Sequence, residues 1–316
     1  MENSVVLCGG GYRAVIDLDK GANCVSLRNE QYRARILREP KAGQAPDHPF
    51  LYGMPVLFPV NRISGGRFRF EGREYVFPVN EPDTGCHLHG QLHGMPFTAV
   101  EKGESYVNCV FEGQYMDFPH RFRMEICYGL SREGLEQTTK IVNLSGENMP
   151  VFLGFHTTFH VRFLEDTKVE NIRVFAQVGQ EIQRNMANYL PTGQILPPDT
   201  ITEELRTGTY IPAGKTLSRH YRAEGSGVMG LVDMRSGIRL VYENDAAFPW
   251  RLIYTADGDA YICLEPMSCI ANCPNGPFAR EESGFTVIPP GQTREYTSRI
   301  YLQTMNPIAI SHGKEK

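Results

Sequence analysis

Between its 31 glycines and 21 prolines the chain is cut into short segments that alternate apolar with polar residues or run through β-branched ones. No stretch sustains a 3.6-residue period. Segments such as "SYVNCVFEG", "FRMEICYGLS", "GLEQTTKIVNLS", "IRLVYEN" and "REYTSRIYLQ" predict more than a dozen strands and no long helix. In "RFRFEGREYVF", Phe68 and Phe70 alternate with Arg67 and Arg69, Glu71 and Gly72 supply a two-residue turn, and Tyr75 to Phe77 return, which predicts a hairpin. So many short strands must be stacked as sheets, because one open sheet would leave long unpaired edges and an uncovered face. An all-β fold, a large antiparallel β-sandwich, is therefore expected. No internal repeat or low-complexity linker divides the chain, "AEGSG" at 223–227 is short enough for a loop, and only the tail "SHGKEK" reads as frayed, so residues 1–316 are expected to form a single domain.

Composition narrows the function classes. A net charge of −4 with no block of like charge leaves no electrostatic footprint for nucleic acid or anionic lipid, and points to a small neutral ligand. "MENSVVLCGGGY" lacks a basic segment followed by a long apolar one, and runs such as "AYICL" are far shorter than the ~20 residues a membrane helix needs. A soluble protein retained in the cytoplasm is expected. Eight cysteines without a Cys-x-x-Cys pair are too sparse for a disulfide scaffold and are expected as free, mostly buried thiols.

Four segments carry candidate chemistry. In "HLHGQLHG" three of the nine histidines fall within seven positions. If "CHLHG" is extended, His87 and His89 share one face and Gly90 lets the chain bend before His93. Such a cluster suits a polar pocket, a hydrogen-bonded structural role or a metal; a histidine at 93, where metal-binding cupin barrels place a glutamate, weakens the metal reading. In "VFLGFHTTFHV" a regular strand would put His156, Thr158 and His160 on one face, and an imidazole with a pKa near ~6.5 can donate a proton at neutral pH. In "AYICLEPMS", Tyr261, Cys263 and Glu265 share a face and Pro266 should end the ladder, leaving Glu265 partly desolvated. Desolvation raises a carboxyl pKa toward the range of a general base unless donors hold the anion. In "LFPVNRISGGRFRF", Asn61 and Arg62 could donate to ligand oxygens.

Taken in this order, "NRISGGRFRFEGREYVFPVNEP", "LHGQLHGMPF", "VFLGFHTTF", "LPTGQI" and "CLEPMS" resemble the aldose 1-epimerase (galactose mutarotase-like) family. The resemblance implies the family's β-supersandwich, a free sugar as substrate and interconversion of its α and β anomers. It implies Glu265 as general base and His156 as general acid, with Asn61, Arg62 and His89 holding sugar hydroxyls and no metal or organic cofactor. A monomer or homodimer is expected. One departure stands out: many members carry a sugar-binding aspartate between the "PTG" stretch and the late glutamate, where this chain reads "AGKTLSRHYRA" with no acid. That leaves the sugar open, and Arg67, Arg69 and Arg73 keep a phosphorylated one in view. Two other functions remain: a sugar-binding protein on the same fold without turnover, and a cupin-type metal isomerase using His87, His89 and His93. The sole tryptophan, Trp250, is expected in the core rather than on a sugar face.

Overall fold

The computed structural model describes residues 3–40, 48–115 and 118–305. All of its strand ladders are antiparallel, and two eight-stranded sheets dominate. One runs in the order 98–102, 106–113, 122–131, 134–143, 293–304, 238–244, 229–233, 172–176. The other places Tyr261–Met267 between Trp250–Thr255 on one side and, on the other, Gly154–Phe155 and Thr158–His160. A four-stranded sheet made of Ser4–Gly9, Tyr12–Asp17, Asn23–Asn29 and Ala34–Arg35 completes the N-terminal part.

The expected all-β fold is what forms, with only Thr200–Thr207 and Arg280–Ser283 as α-helices among the described residues. The predicted hairpin is present as Arg67–Phe70 paired with Arg73–Val76. Its turn residues Glu71 and Gly72 both have positive φ (47° and 80°), as the tight hairpin turn that suits right-handed strand twist requires. All eight cysteines are free and six are buried. Trp250 is buried, as expected.

The two large sheets meet through alternate residues. Thr157 and Phe159 point inward, where the Thr157 hydroxyl lies 2.9 Å from that of Tyr242 and the Phe159 ring 5.5 Å from the Tyr242 ring. The opposite face of the same strands is polar, because period-two alternation sends His160, Thr158, Cys263 and Glu265 away from the core.

Two local expectations are corrected. "VFLGFHTTFHV" is not one strand: it breaks into Gly154–Phe155 and Thr158–His160, with His156 between them donating its N–H to the Pro55 carbonyl. Pro266 does not end the ladder, since the strand continues to Met267. The amides of Leu264 and Ser268 donate to Thr157 and Leu153, so an N–H at position 266 would point to that same side, where the neighbouring strand is interrupted. A residue without a donor fits there at no loss of a ladder bond.

Candidate functional site

Register builds the first row of the site. His220 pairs with Leu252 and Leu252 with Glu265, so all three project from one sheet face. His156 reaches that row from the strand break, and its Nε2 lies 3.3 Å from Glu265 Oε1. Glu265 is completely buried, and neither of its oxygens has a hydrogen-bond partner among the described residues. Burial drives its pKa well above the usual carboxyl value, more than the nearby Arg184 and Arg62 guanidiniums pull it down. Burial also pushes His156 down, to about 3. Both directions favour a neutral pair with the one proton on the carboxyl group. At 3.3 Å the alternative, carboxylate beside imidazolium, holds the same single proton, so moving between the two forms needs no exchange with solvent.

Loops close over this row. Phe50 lies with its ring centroid 4.6 Å from His89, 4.7 Å from His93 and 6.1 Å from His156, and the His89 and His156 rings are 5.4 Å apart. His89 is held at φ 63° with its N–H on the Asn61 carbonyl, while its Nδ1 is buried with no partner among the described residues. Burial, then the charges of His156 and Arg62, keep its pKa well below the usual imidazole value. A neutral ring with a free nitrogen can bond a hydroxyl without the cost of burying a charge.

His87 departs from expectation. The strand Cys86–Leu88 ends one residue before His89, whose positive φ breaks the alternation, so the two rings do not share a face. His87 instead stacks on Phe77 at 4.9 Å and bonds the Pro78 carbonyl through Nδ1 at 2.7 Å. The triad His87, His89 and His93 therefore does not converge. Among the described residues the set whose ligand atoms do converge, within 4.8 Å, is His156, Cys263 and Glu265. There burial raises the Cys263 pKa well above its usual value and keeps it a thiol, which binds metal poorly compared with a thiolate.

Asn61 and Arg62 are both at the site but partly committed. Asn61, at φ 60° and almost fully buried, accepts the Arg62 N–H on its own Oδ1 at 2.9 Å, and its Nδ2 has the Met267 sulfur at 3.6 Å. A ligand oxygen would displace only that weak contact. Arg62 is gripped by Glu81 through two bonds of 2.6 Å, which fix its plane. Glu81 itself accepts from Thr84.

Sequence reasoning missed three contributors. Arg184 donates to the Ser218 carbonyl at 2.5 Å, and its guanidinium and that of Arg62 lie 5.8 and 4.6 Å from the same Tyr189 ring. Nothing in "QEIQRN" marks Arg184 as different from a solvated strand arginine. Phe50 precedes the recognised segments. His220 comes from the acid-free "AGKTLSRHYRA": it is fully buried, 5.7 Å from the Trp250 ring, with neither ring nitrogen partnered among the described residues. Where an aspartate was expected and missing, the strand presents an imidazole to the same face.

The sequence profile of the aldose 1-epimerase family matches residues 3–301. The chain belongs to that family. A galactose mutarotase-like protein of Clostridium acetobutylicum is 30% identical, with TM-score 0.91 over 96% of this chain and 95% of that one. The aldose epimerase homologue of C. elegans, at 14% identity and TM-score 0.76 over 96% and 99%, shares the fold. Among curated proteins, the uncharacterised YphB of Escherichia coli K12 is 22% identical over 255 residues, 78% of this chain and 82% of its own. The family and the β-sandwich relatives support a carbohydrate-epimerase type of protein. No helix among the described residues is long and apolar enough to cross a membrane.

Proposed function

We propose that the protein is an aldose 1-epimerase that opens and recloses a free sugar ring with Glu265 and His156. The observation that carries this reading is the 3.3 Å pair of a fully buried Glu265 and an almost fully buried His156, flanked by imidazole nitrogens that have no partner among the described residues. In the carboxylate–imidazolium form Glu265 removes the proton from the C1 hydroxyl and His156 protonates the ring oxygen as the C1–O5 bond breaks and a C1 carbonyl forms. The pair is left as carboxyl and neutral imidazole, the form that burial favours. Rotation about C1–C2 presents the other carbonyl face, and the two transfers reverse. The pair thus carries one proton through the whole cycle and returns to its starting state. His89, Asn61 and Arg62 hold hydroxyls, which orients the ring so that both transfers stay within hydrogen-bond reach.

The test is polarimetry on freshly dissolved α-D-galactose and α-D-glucose with wild type, Glu265→Gln and His156→Asn. Each substitution is expected to lower kcat/KM by about 10² to 10⁴. If wild type accelerates none of a panel of free and phosphorylated aldoses, the proposal fails, and binding without turnover becomes the reading to pursue.

A further inference from the structure

A concavity of 1260 Å³ lies against the N-terminal four-stranded sheet, and neither Glu265 nor His156 lines it. Six arginines line it: Arg13, Arg28, Arg33, Arg35, Arg38 and Arg162. Three of them form a row, because Arg13 pairs with Arg28 and Arg28 with Arg35 across successive strands. Like charges placed directly opposite one another on a sheet work against folding. Such a row in a chain of net charge −4 therefore needs a reason other than the stability of the sheet.

The three acids that also line it, Glu30, Glu39 and Glu165, offset only part of this charge. Glu39 takes Arg28 through two hydrogen bonds and approaches Arg35 at 3.7 Å, while Glu165 pairs with Arg33. Arg13 and Arg162 have no ion pair among the described residues. The Arg38 guanidinium carbon lies 4.3 Å from the centroid of the Tyr52 ring and 4.3 Å from that of Tyr261, and the group spends one bond on the Leu51 carbonyl. Arg33 sits at φ 50°, a left-handed conformation that a long side chain seldom adopts, and such strain gathers at ligand clamps. Strands lie about 4.8 Å apart, so the Arg13, Arg28 and Arg35 row spans roughly 10 Å. With the side chains extended, two linked phosphates match more of that row than one does.

We propose that this arginine-lined groove is a binding site, distinct from the sugar site, for a small molecule carrying a diphosphate or longer phosphate chain. Guanidinium forks bond such oxygens in pairs, and contacts with two tyrosine rings and the Leu51 carbonyl hold that of Arg38 in place.

The experiment is isothermal titration of the full chain with inorganic pyrophosphate, adenosine diphosphate and orthophosphate at low ionic strength. Wild type is expected to bind pyrophosphate and adenosine diphosphate at least tenfold more tightly than orthophosphate. The double variant Arg13→Gln/Arg162→Gln, which breaks no ion pair among the described residues, is expected to weaken pyrophosphate binding at least tenfold while leaving anomer interconversion unchanged. Glu265→Gln should bind pyrophosphate as wild type does, which keeps this result separate from that of the epimerase proposal. No binding of pyrophosphate at millimolar concentration would overturn the inference, as would equal affinity for orthophosphate. Affinity lost in Glu265→Gln but retained in the double variant would put the anion in the sugar site and overturn it as well.

Discussion

Replacing Glu265 by glutamine should stabilise the protein, increasingly so as pH rises, while removing the proposed epimerase activity. The carboxyl group is fully buried, lacks hydrogen-bond partners among the described residues, and has its pKa raised by that burial. A raised folded-state pKa means that, above the unfolded value of about 4.3, the folded chain binds more protons at this site than the unfolded chain. Stability from this group is therefore fully present below about pH 4.3 and is lost as pH climbs toward the folded pKa. Glutamine has nearly the same shape and does not titrate, so the two proteins should be close in stability near pH 4. Above that, wild type should fall behind at a slope approaching about 1.4 kcal/mol per pH unit until the folded pKa is reached. With a urea m-value near ~3 kcal/mol/M, that separates the midpoints by about 0.5 M per unit. His156 shares one proton with Glu265 in wild type and loses that partner in the variant, so the slope read from the comparison belongs to the pair. Urea midpoints measured between pH 4 and 8 decide the matter. A difference that does not change with pH would mean that the carboxyl titrates normally and is solvated in the folded state. A difference of opposite slope would mean that Arg184 and Arg62 outweigh burial and hold the anion.

His156→Asn acts in the other direction of pH. With the folded pKa at about 3 against an unfolded value near ~6.5, its stabilising contribution is present above the unfolded value and lost as pH falls toward the folded one, so the variant should be less acid-sensitive in urea midpoints at pH 4.5 and 7. Glu81→Gln breaks the two-bond grip on Arg62, and by about 1–2 kcal/mol of lost orientation should raise KM roughly fivefold to thirtyfold with kcat nearly unchanged, as polarimetric rates across sugar concentrations would show. Gly90→Ala would set a Cβ 2.0 Å from the Phe58 carbonyl oxygen at φ 61°; a cost of about 2–4 kcal/mol should appear as a lowered urea midpoint, and an unchanged midpoint would refute the close approach. Phe50→Ala removes the ring against which His89, His93 and His156 are placed, and a loss of about 3 kcal/mol in stability with a raised KM is expected from the same two assays.

Much of the fold was legible because strand alternation and turn chemistry are local. Phe68 and Phe70 against Arg67 and Arg69, with Glu71-Gly72 between the arms, required nothing beyond nearest neighbours to specify a hairpin. Errors arose where a distant strand changed a local rule: Pro266 continues a strand because the adjoining segment is interrupted, and His87 and His89 part because the strand ends between them.

The sequence by itself determined the strand-rich architecture, the absence of long helices, and the residue types offered for acid–base chemistry at His156 and Glu265. Tertiary structure alone decided that these two side chains, more than 100 residues apart in the chain, stand 3.3 Å from each other. It also decided that Arg184, Phe50 and His220 join them, and that three arginines from three strands align in one row. The physical reason is range. Periodicity and turn propensity act over a few residues, whereas burial, and with it the pKa of a carboxyl group, depends on which distant strands cover that residue.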